Sequence, residues 1–267
     1  MLVLLGVVAA PIHAAHAVIL YAVDFSAPTH TLGSAPATGT GPIPRDTPSL
    51  LQVFNDPTSA ATVVSSFGAL GDRPLEISAA GTGSAGLGGL NLHFDMDDPA
   101  IPGELTRFQA DFDIIVDHVD QNQIAILFDA PSVHITRFLP NNQVRMFGRV
   151  GVDTQLGTWT SGDLMHVRMT YDTLSGEWSS QLNGGTVFTA VSDQTALRNI
   201  RIGSTTSLTT LAYIDNVLIQ GFGVPEPATL LLLGLGIAGL AFAGRGERVT
   251  GERRVRESRV WRVGWRR

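Results

Sequence analysis

The sequence predicts an all-β protein, an antiparallel sandwich, and three observations carry that expectation. Apolar and polar residues alternate with period two in short runs from Val18 to about Gly221. Gly, Pro, Asn and Asp punctuate those runs at short intervals, and no stretch of the body repeats its apolar residues at helical spacing. Composition agrees: 29 Gly and only 16% charged residues suit many short strands, whereas helices favour Ala, Leu, Glu and Lys. The 267 residues give room for a sizeable core, and they show no internal repeat.

The formal charge of −6 is unevenly spread, because nine Arg and three Glu follow from Arg245 onward. The chain before that point therefore carries −12. An acidic body speaks against a nucleic-acid partner, since affinity for phosphate rests on clustered Lys and Arg. The absence of cysteine excludes disulfides, thiolate nucleophiles, zinc–thiolate sites and iron–sulfur clusters.

The chain opens on "MLVLLGVVAAPIHAAHAVILYAVDF", an apolar run followed by the small-x-small signal Ala15-His16-Ala17. Residues 1–17 read as a secretory signal peptide, with the mature chain starting near Val18, although no positive residue precedes Leu2. A buried N-terminal strand is the alternative. The body, 18–222, begins with a strand ending at Asp24. Ser26 to Pro48, rich in Ala, Pro, Thr and Gly, is expected to be a long surface excursion.

The strands that follow are explicit. In "TRFQADFDIIVD", Phe108, Ala110, Phe112, Ile114 and Val116 face one way, and Gln109, Asp111, Asp113 and Asp117 the other. "QIAILFD", "SVHITRF" and "NQVRMFGRV" come next. In "DLMHVRMTYDTLSGEWSSQLNGGTVFTAV", Met165, Val167, Met169 and Tyr171 point inward and Leu174-Ser175-Gly176 turns the chain. Trp178, Ser180 and Leu182 share a face of the return strand, and Asn183-Gly184 is a strong hairpin signal. "LRNIRIG" and "LAYIDNVLIQGF" close the body. Regularly spaced short strands of this kind indicate a sandwich.

Asp163 to Ile219 resembles the concanavalin A-like (laminin G-like) jelly rolls. Their "HVxxxYD…lNG" hairpin, "IG" and closing "IDNV" are matched by His166-Val167, Tyr171-Asp172, Asn183-Gly184, Ile202-Gly203 and Ile214-Asp215-Asn216-Val217. Leu164-Met165 replaces the aromatic that often precedes "HV". The resemblance implies a jelly roll and, as a ligand class, extracellular polysaccharide. Jelly rolls of this kind often hold a structural calcium where first and last strands meet, which the resemblance allows at Asp24, ending the first strand, and Asp215 in the last; acidic residues without a metal are the default, and no other cofactor is expected.

Catalytic patterns are weak. "GTGSAG" matches G-x-G-x-x-G, but no helix follows it, so a glycine turn accounts for it. A glycan hydrolase needs two carboxylates flanking the bond. The body has three Glu (Glu76, Glu104 and Glu177), none in a Glu-x-Asp-x-Glu strand, and Gly-x-Ser-x-Gly is absent. Asp111 and Asp113 project from one strand face, either toward a ligand or as a solvated face paired with Arg145, Arg149 or Arg168. His93, His118, His134 and His166 have no metal-binding spacing and read as surface or rim residues. Asp95, Asp97 and Asp98 in "FDMDDPAIPGE" cluster in a loop but fail the EF-hand pattern. Sugar stacking would use an aromatic face, and Trp159 in "LGTWTSGD" is the expected platform, with Trp178 in the core.

Finally, "VPEPATLLLLGLGIAGLAFAGR" sets Pro-Glu-Pro before an uncharged run, Ala228 to Gly244. Seventeen residues of helix reach about 25 Å, enough for a thin bilayer, and Arg245 and Arg248 would hold the tail inside. This segment, 223–248, resembles the PEP-CTERM sorting signal of Gram-negative bacteria. By that resemblance Pro225, Glu226, Pro227 and Arg245 form the signal. Its partner is exosortase, a membrane protease-transpeptidase that removes the tail during export. The chain would pass through a membrane-anchored intermediate to the cell surface or matrix. The Arg-rich tail, 249–267, runs on further than in that family, as a disordered or readthrough segment or as a cytoplasmic stretch on anionic lipid with Trp261 and Trp265 at the interface.

The expectation is thus an exported, non-catalytic jelly-roll module binding extracellular polysaccharide. The alternatives are a glycan-active enzyme on the same fold and a purely structural matrix protein.

Overall fold

A computed structural model describes residues 17–54, 60–79, 89–119, 123–129, 133–148, 151–192, 196–205 and 210–223. Their strands form two sheets in which every strand pairing is antiparallel. The first sheet runs β13 (Phe188–Val191), β12 (Glu177–Leu182), β11 (Leu164–Asp172), β6 (Leu105–Val119), β15 (Thr210–Gly223), β4 (Leu75–Ala79) and β3 (Ala60–Val63). β1 (Ala17–Val23) continues along the flank of β15 beyond β4, from Ala17↔Phe222 to Val23↔Val217. The second sheet runs β10 (Val152–Thr158), β9 (Gln143–Gly148), β8 (Val133–Phe138), β7 (Gln123–Asp129), β14 (Asn199–Thr205), β5 (Gly89–Asp95) and β2 (Leu50–Phe54). The expected all-β sandwich is therefore the fold, with one 3-10 turn, Gly68–Leu70, among the described residues.

Alternation decides which side of each strand enters the core. Phe108, Ala110, Phe112, Ile114 and Val116 of β6 are all buried, as are Met165, Val167, Met169 and Tyr171 of β11. On β12, Trp178, Ser180 and Leu182 face the same interior. The hairpin signal is realised too. Asn183 and Gly184 both take positive φ (51° and 66°), and the Gly185 amide donates to the Leu182 carbonyl at 2.9 Å.

One residue of the interior departs from the sequence expectation. His134 is no rim residue: β8 turns it inward, where its ring lies 4.7 Å from that of Trp178 and 5.4 Å from that of Tyr171. Thr136, two residues on, meets Ser180 across the sandwich at 2.7 Å, so this part of the core is polar and specific. Gly148 leaves room for Trp178, since a Cβ there would sit 2.9 Å from the indole.

The excursion from Ser26 to Pro48 is also more than surface. Arg45 is buried, bridges β1 at Tyr21, and exchanges main-chain hydrogen bonds with Leu20 and Ala22. Its guanidinium donates to the Tyr21 hydroxyl (2.9 Å) and the Gly41 carbonyl (2.9 Å) and pairs with Asp98 at 2.7 Å. Asp98 is held below the usual carboxylate range by the Ala100 amide and by Arg45. A Pro- and Gly-rich segment makes few sheet bonds of its own, and this ion pair fixes it onto the sandwich.

The compact unit that includes these strands spans His16–Gly223. The expected signal peptide lies outside the described residues, except that Ala17 opens β1. The expected membrane helix over Ala228–Gly244 lies outside them as well. Among the described residues no helix is long and apolar enough to cross a membrane.

Candidate functional site

The outer face of the first sheet gathers the acidic residues singled out in the sequence. Asp111 and Asp113 point away from the core on β6, and both are engaged. Asp111, only 6% exposed, accepts from Arg168 Nε at 2.6 Å and Gln109 Nε2 at 2.6 Å, with His166 Nε2 at 3.3 Å. Asp113 contacts His166 Nδ1 at 2.9 Å and accepts from Asn216 Nδ2 at 2.9 Å. The cross-strand partner of Asp111 is thus Arg168, directly opposite it in register. Arg145 belongs to the other sheet, and Arg149 lies outside the described residues.

Asp24 and Asp215 do come together. β1 pairs with β15 up to Val23↔Val217, so Asp24 follows directly beside the irregular step in β15 between Asp215 and Leu218. Asn216 there takes φ 54°, the left-handed region that Asn tolerates and that re-aims side chains at a bulge. Asp215 is buried and its carboxyl is pushed up to about 6, chiefly by burial and further by the negative charge of Asp24; main-chain amides of Asn216 and Phe25 offset part of this. Asp24 in turn accepts the Ser26 amide at 2.8 Å. Calcium takes six to eight oxygens, of which two carboxylates are a minority. Among the described residues no group of three or more His, Asp or Glu is placed to hold a metal.

Trp159 is corrected by the structure. It leaves β10 as expected, but its ring turns into the core, 7% exposed, and its Nε1 donates to the Leu139 carbonyl at 2.9 Å. A loop tryptophan whose N–H finds a carbonyl below it buries its apolar face rather than presenting it. No stacking platform exists there. Tyr21, Tyr171, Tyr213 and Trp178 are at least nine-tenths buried as well. Tyr213 is buried on the outer side of its strand under Phe67, stacked at 3.5 Å, and its hydroxyl is pushed up to about 12 by burial and by Glu76.

The outer face of the second sheet is where sequence reasoning missed a cluster. Register sets Arg145, Arg137, the Ala125 position, Gly203 and Asn91 in one cross-strand row. The next row holds Asp153, Phe147, Ile135, the Leu127 position, Arg201 and His93. Arg137 and Arg145 stand directly opposite each other, a like-charge pairing that ordinarily destabilises a sheet. Both reach the same carboxylate: Asp153 Oδ1 lies 2.6 Å from Arg145 Nε and 3.7 Å from Arg137 Nη2. Arg137 also covers Phe147, 4.1 Å from the ring centre, and Arg201 donates to Asn199 at 2.7 Å. Gly203 is required at the floor of this face, because a Cβ would meet the Leu90 carbonyl at 1.9 Å and Asn91 Oδ1 at 2.3 Å.

Comparison with known proteins separates address from body. Residues 223–248 match the PEP-CTERM protein-sorting motif. The motif implies an exported chain processed by exosortase through a membrane-anchored intermediate. Among solved structures, a conserved carbohydrate esterase from the Shiga toxin-encoding bacteriophage phi24B aligns with a TM-score of 0.50. It shares 13% identity over 77% of this chain and 99% of its own. A sialidase (TM-score 0.46, 12% identity) covers 64% of this chain, which spans only 17% of the sialidase's length. Alginate lyase A1-II′ of polysaccharide lyase family 7 (0.46, 12%) covers 64% of this chain and 86% of its own. At these identities the likeness is one of fold. No curated protein matches the chain in sequence.

Proposed function

We propose that the body is a non-catalytic module that binds extracellular polysaccharide, delivered through exosortase processing to the surface or matrix of a Gram-negative bacterium. The observation that carries this reading is the engagement of the paired carboxylates. Asp111 and Asp113, the paired carboxylates best placed by sequence for hydrolysis, are tied to Arg168, Gln109, His166 and Asn216 on one strand face. Hydrolysis needs two carboxylates on either side of a bond, one of them free to give a proton. Recognition needs only polar groups gathered on a formed surface, and the outer face of the second sheet gathers Arg137, Arg145, Arg201, Gln143 and Asn199, paired among themselves and with Asp153.

Calcium belongs to this reading as a stabiliser at Asp24 and Asp215. Two carboxylates of like charge, one buried, are the situation a divalent cation relieves. Chelation is expected to lower the melting temperature and added calcium to restore it; an unchanged temperature removes calcium from the account.

The test of function is binding of the full chain in detergent to a panel of matrix polysaccharides, with released reducing ends assayed in parallel. Saturable binding without new reducing ends is the expected result. New reducing ends would replace the binder with a glycan-active enzyme, and no binding to any glycan would leave a structural surface protein.

A further inference from the structure

We propose that a cleft walled by Ser26, Pro28, Leu32, Ser65, Asp72 and Arg73 binds a neutral, hydroxyl-rich segment of polysaccharide. The inference rests on the polysaccharide-binding reading above and locates its contact in a cleft rather than on a sheet face.

The cleft encloses about 550 Å³, within the range of small-molecule sites. Its walls follow Val23 and precede Leu75, the residues at which the flank of β15 passes from β1 to β4. Both walls are loops, and both are pinned. The loop after β1 is anchored by Phe25 and His30, which are buried with their rings 5.1 Å apart. His30 Nδ1 accepts from the Ala37 amide at 3.2 Å, and its Nε2 donates to the Asp46 carbonyl at 3.0 Å. The same loop lies against β3, where the Gly33 amide donates to the Val63 carbonyl (2.8 Å) and the Val63 amide to the Ser34 carbonyl (2.9 Å). The hairpin from β3 to β4 is closed by the Arg73 amide donating to the Ser65 carbonyl at 3.0 Å, and its Phe67 stacks on Tyr213. A site whose walls are fixed before a ligand arrives loses little to ordering.

Two observations point to a ligand. Among the described residues, the side chains of Ser26, Ser65, Asp72 and Arg73 enter no hydrogen bond or ion pair, whereas Asp111, Arg168 and Arg145 on the sheet faces are all engaged. Arg73, half-buried, also takes φ 57°, a region that favours glycine and that a long side chain rarely adopts. Backbone held there by a residue whose side chain the fold leaves unused is a feature of ligand sites. The chemistry of the lining then gives the class. One carboxylate and one guanidinium leave the cleft without net charge, so it does not select an ion. A carboxylate accepts from two neighbouring hydroxyls and a guanidinium donates to two, which is the pattern that vicinal sugar hydroxyls present. Pro28 and Leu32, the latter 49% exposed, supply an apolar wall for the C–H face of a ring. No aromatic platform is required, and among the described residues every Trp and Tyr is at least nine-tenths buried.

The test titrates the full chain in detergent with dextran, mannan and galactan as neutral polymers and polygalacturonate as an acidic one. Saturable binding of a neutral polymer is expected, with an affinity that salt does not weaken. Asp72→Asn and Arg73→Gly are each expected to weaken it about tenfold, the scale of one lost hydrogen bond to a charged group. Arg73→Gly should do so without lowering the melting temperature, because glycine accepts the positive φ. Glu177→Gln, exposed on β12, should leave affinity unchanged. Wild-type affinity in both cleft variants overturns the site while leaving polysaccharide binding intact. A lower melting temperature in Arg73→Gly overturns the role given to that arginine. Preference for polygalacturonate that fades with salt overturns the neutral class. Failure to bind any glycan sinks the parent reading together with this one.

Discussion

The two outer faces of the sandwich solve the same problem differently. On the first sheet, charges close on one another: Asp111, Asp113, His166, Arg168, Gln109 and Asn216 form one hydrogen-bonded group around a buried carboxylate. On the second, two arginines converge on a single edge aspartate and a third stands two strands away. Polar content alone therefore says little about where a ligand goes. Both faces are built from groups that satisfy one another, the first around a buried carboxylate and the second around an edge one.

The comparison can be broken most severely at Gly203. Gly203→Ala would drive a Cβ into the Leu90 carbonyl and is expected to cost on the order of 4 kcal/mol, read from the urea midpoint. Gly103→Ala, with no atom within 4 Å of the added carbon, should stay within about 0.5 kcal/mol. Similar midpoints for the two variants would mean that the floor of the second face is not closely packed.

On the first face, Arg168→Ala leaves the buried Asp111 carboxylate without its guanidinium. A loss of about 2 kcal/mol in unfolding free energy is expected, as for a hydrogen bond to a charged group. A neutral outcome would show that Gln109 and His166 suffice, and that the group is less interdependent than its geometry indicates.

The smallest effect sharpens the acidic side. Asp215 has a folded-state value of about 6, above that of an unfolded aspartate, so the folded chain binds the extra proton between about pH 4 and 6. Stability from this group is therefore gained as pH falls through 6 and lost as pH rises. In chelator, the wild type is expected to gain about 1 kcal/mol relative to Asp215→Asn between pH 7 and 5. Parallel pH profiles for the two proteins would remove Asp215 as a strained acid.

Much of the fold was legible because period-two alternation is local. β6, β11 and β12 declare their inward faces residue by residue, and Asn183-Gly184 declares its turn. The approach of Asp24 to Asp215 was legible too, because a first strand pairing with a last one brings their ends together. The arginine face was not. Arg137, Arg145 and Arg201 are separated by up to 64 residues, and only the pairing of β14 with β7 gathers them. Alternation says which side of its own strand a residue takes but not which strand lies alongside. Trp159 and Arg45 fail for another reason. A loop position in sequence does not reveal whether a carbonyl or an aspartate waits beneath it to satisfy an N–H and draw the side chain down.

The place of β15 has a mechanical meaning. Apart from the irregular step around Asn216 it is flanked on both sides, by β6 from Thr210↔Val119 to Gly223↔Leu105 and by β4 and then β1 on the other side. Antiparallel hydrogen bonds lie across the strand direction. Tension entering at Gly223 along β15 therefore loads both rows in shear, and many bonds must yield together. Tension between Ala17 and Phe222, which are register partners, would instead peel β1 away one pair at a time. The strand that leads toward the sorting segment is thus the one through which this body can bear a pull without unravelling.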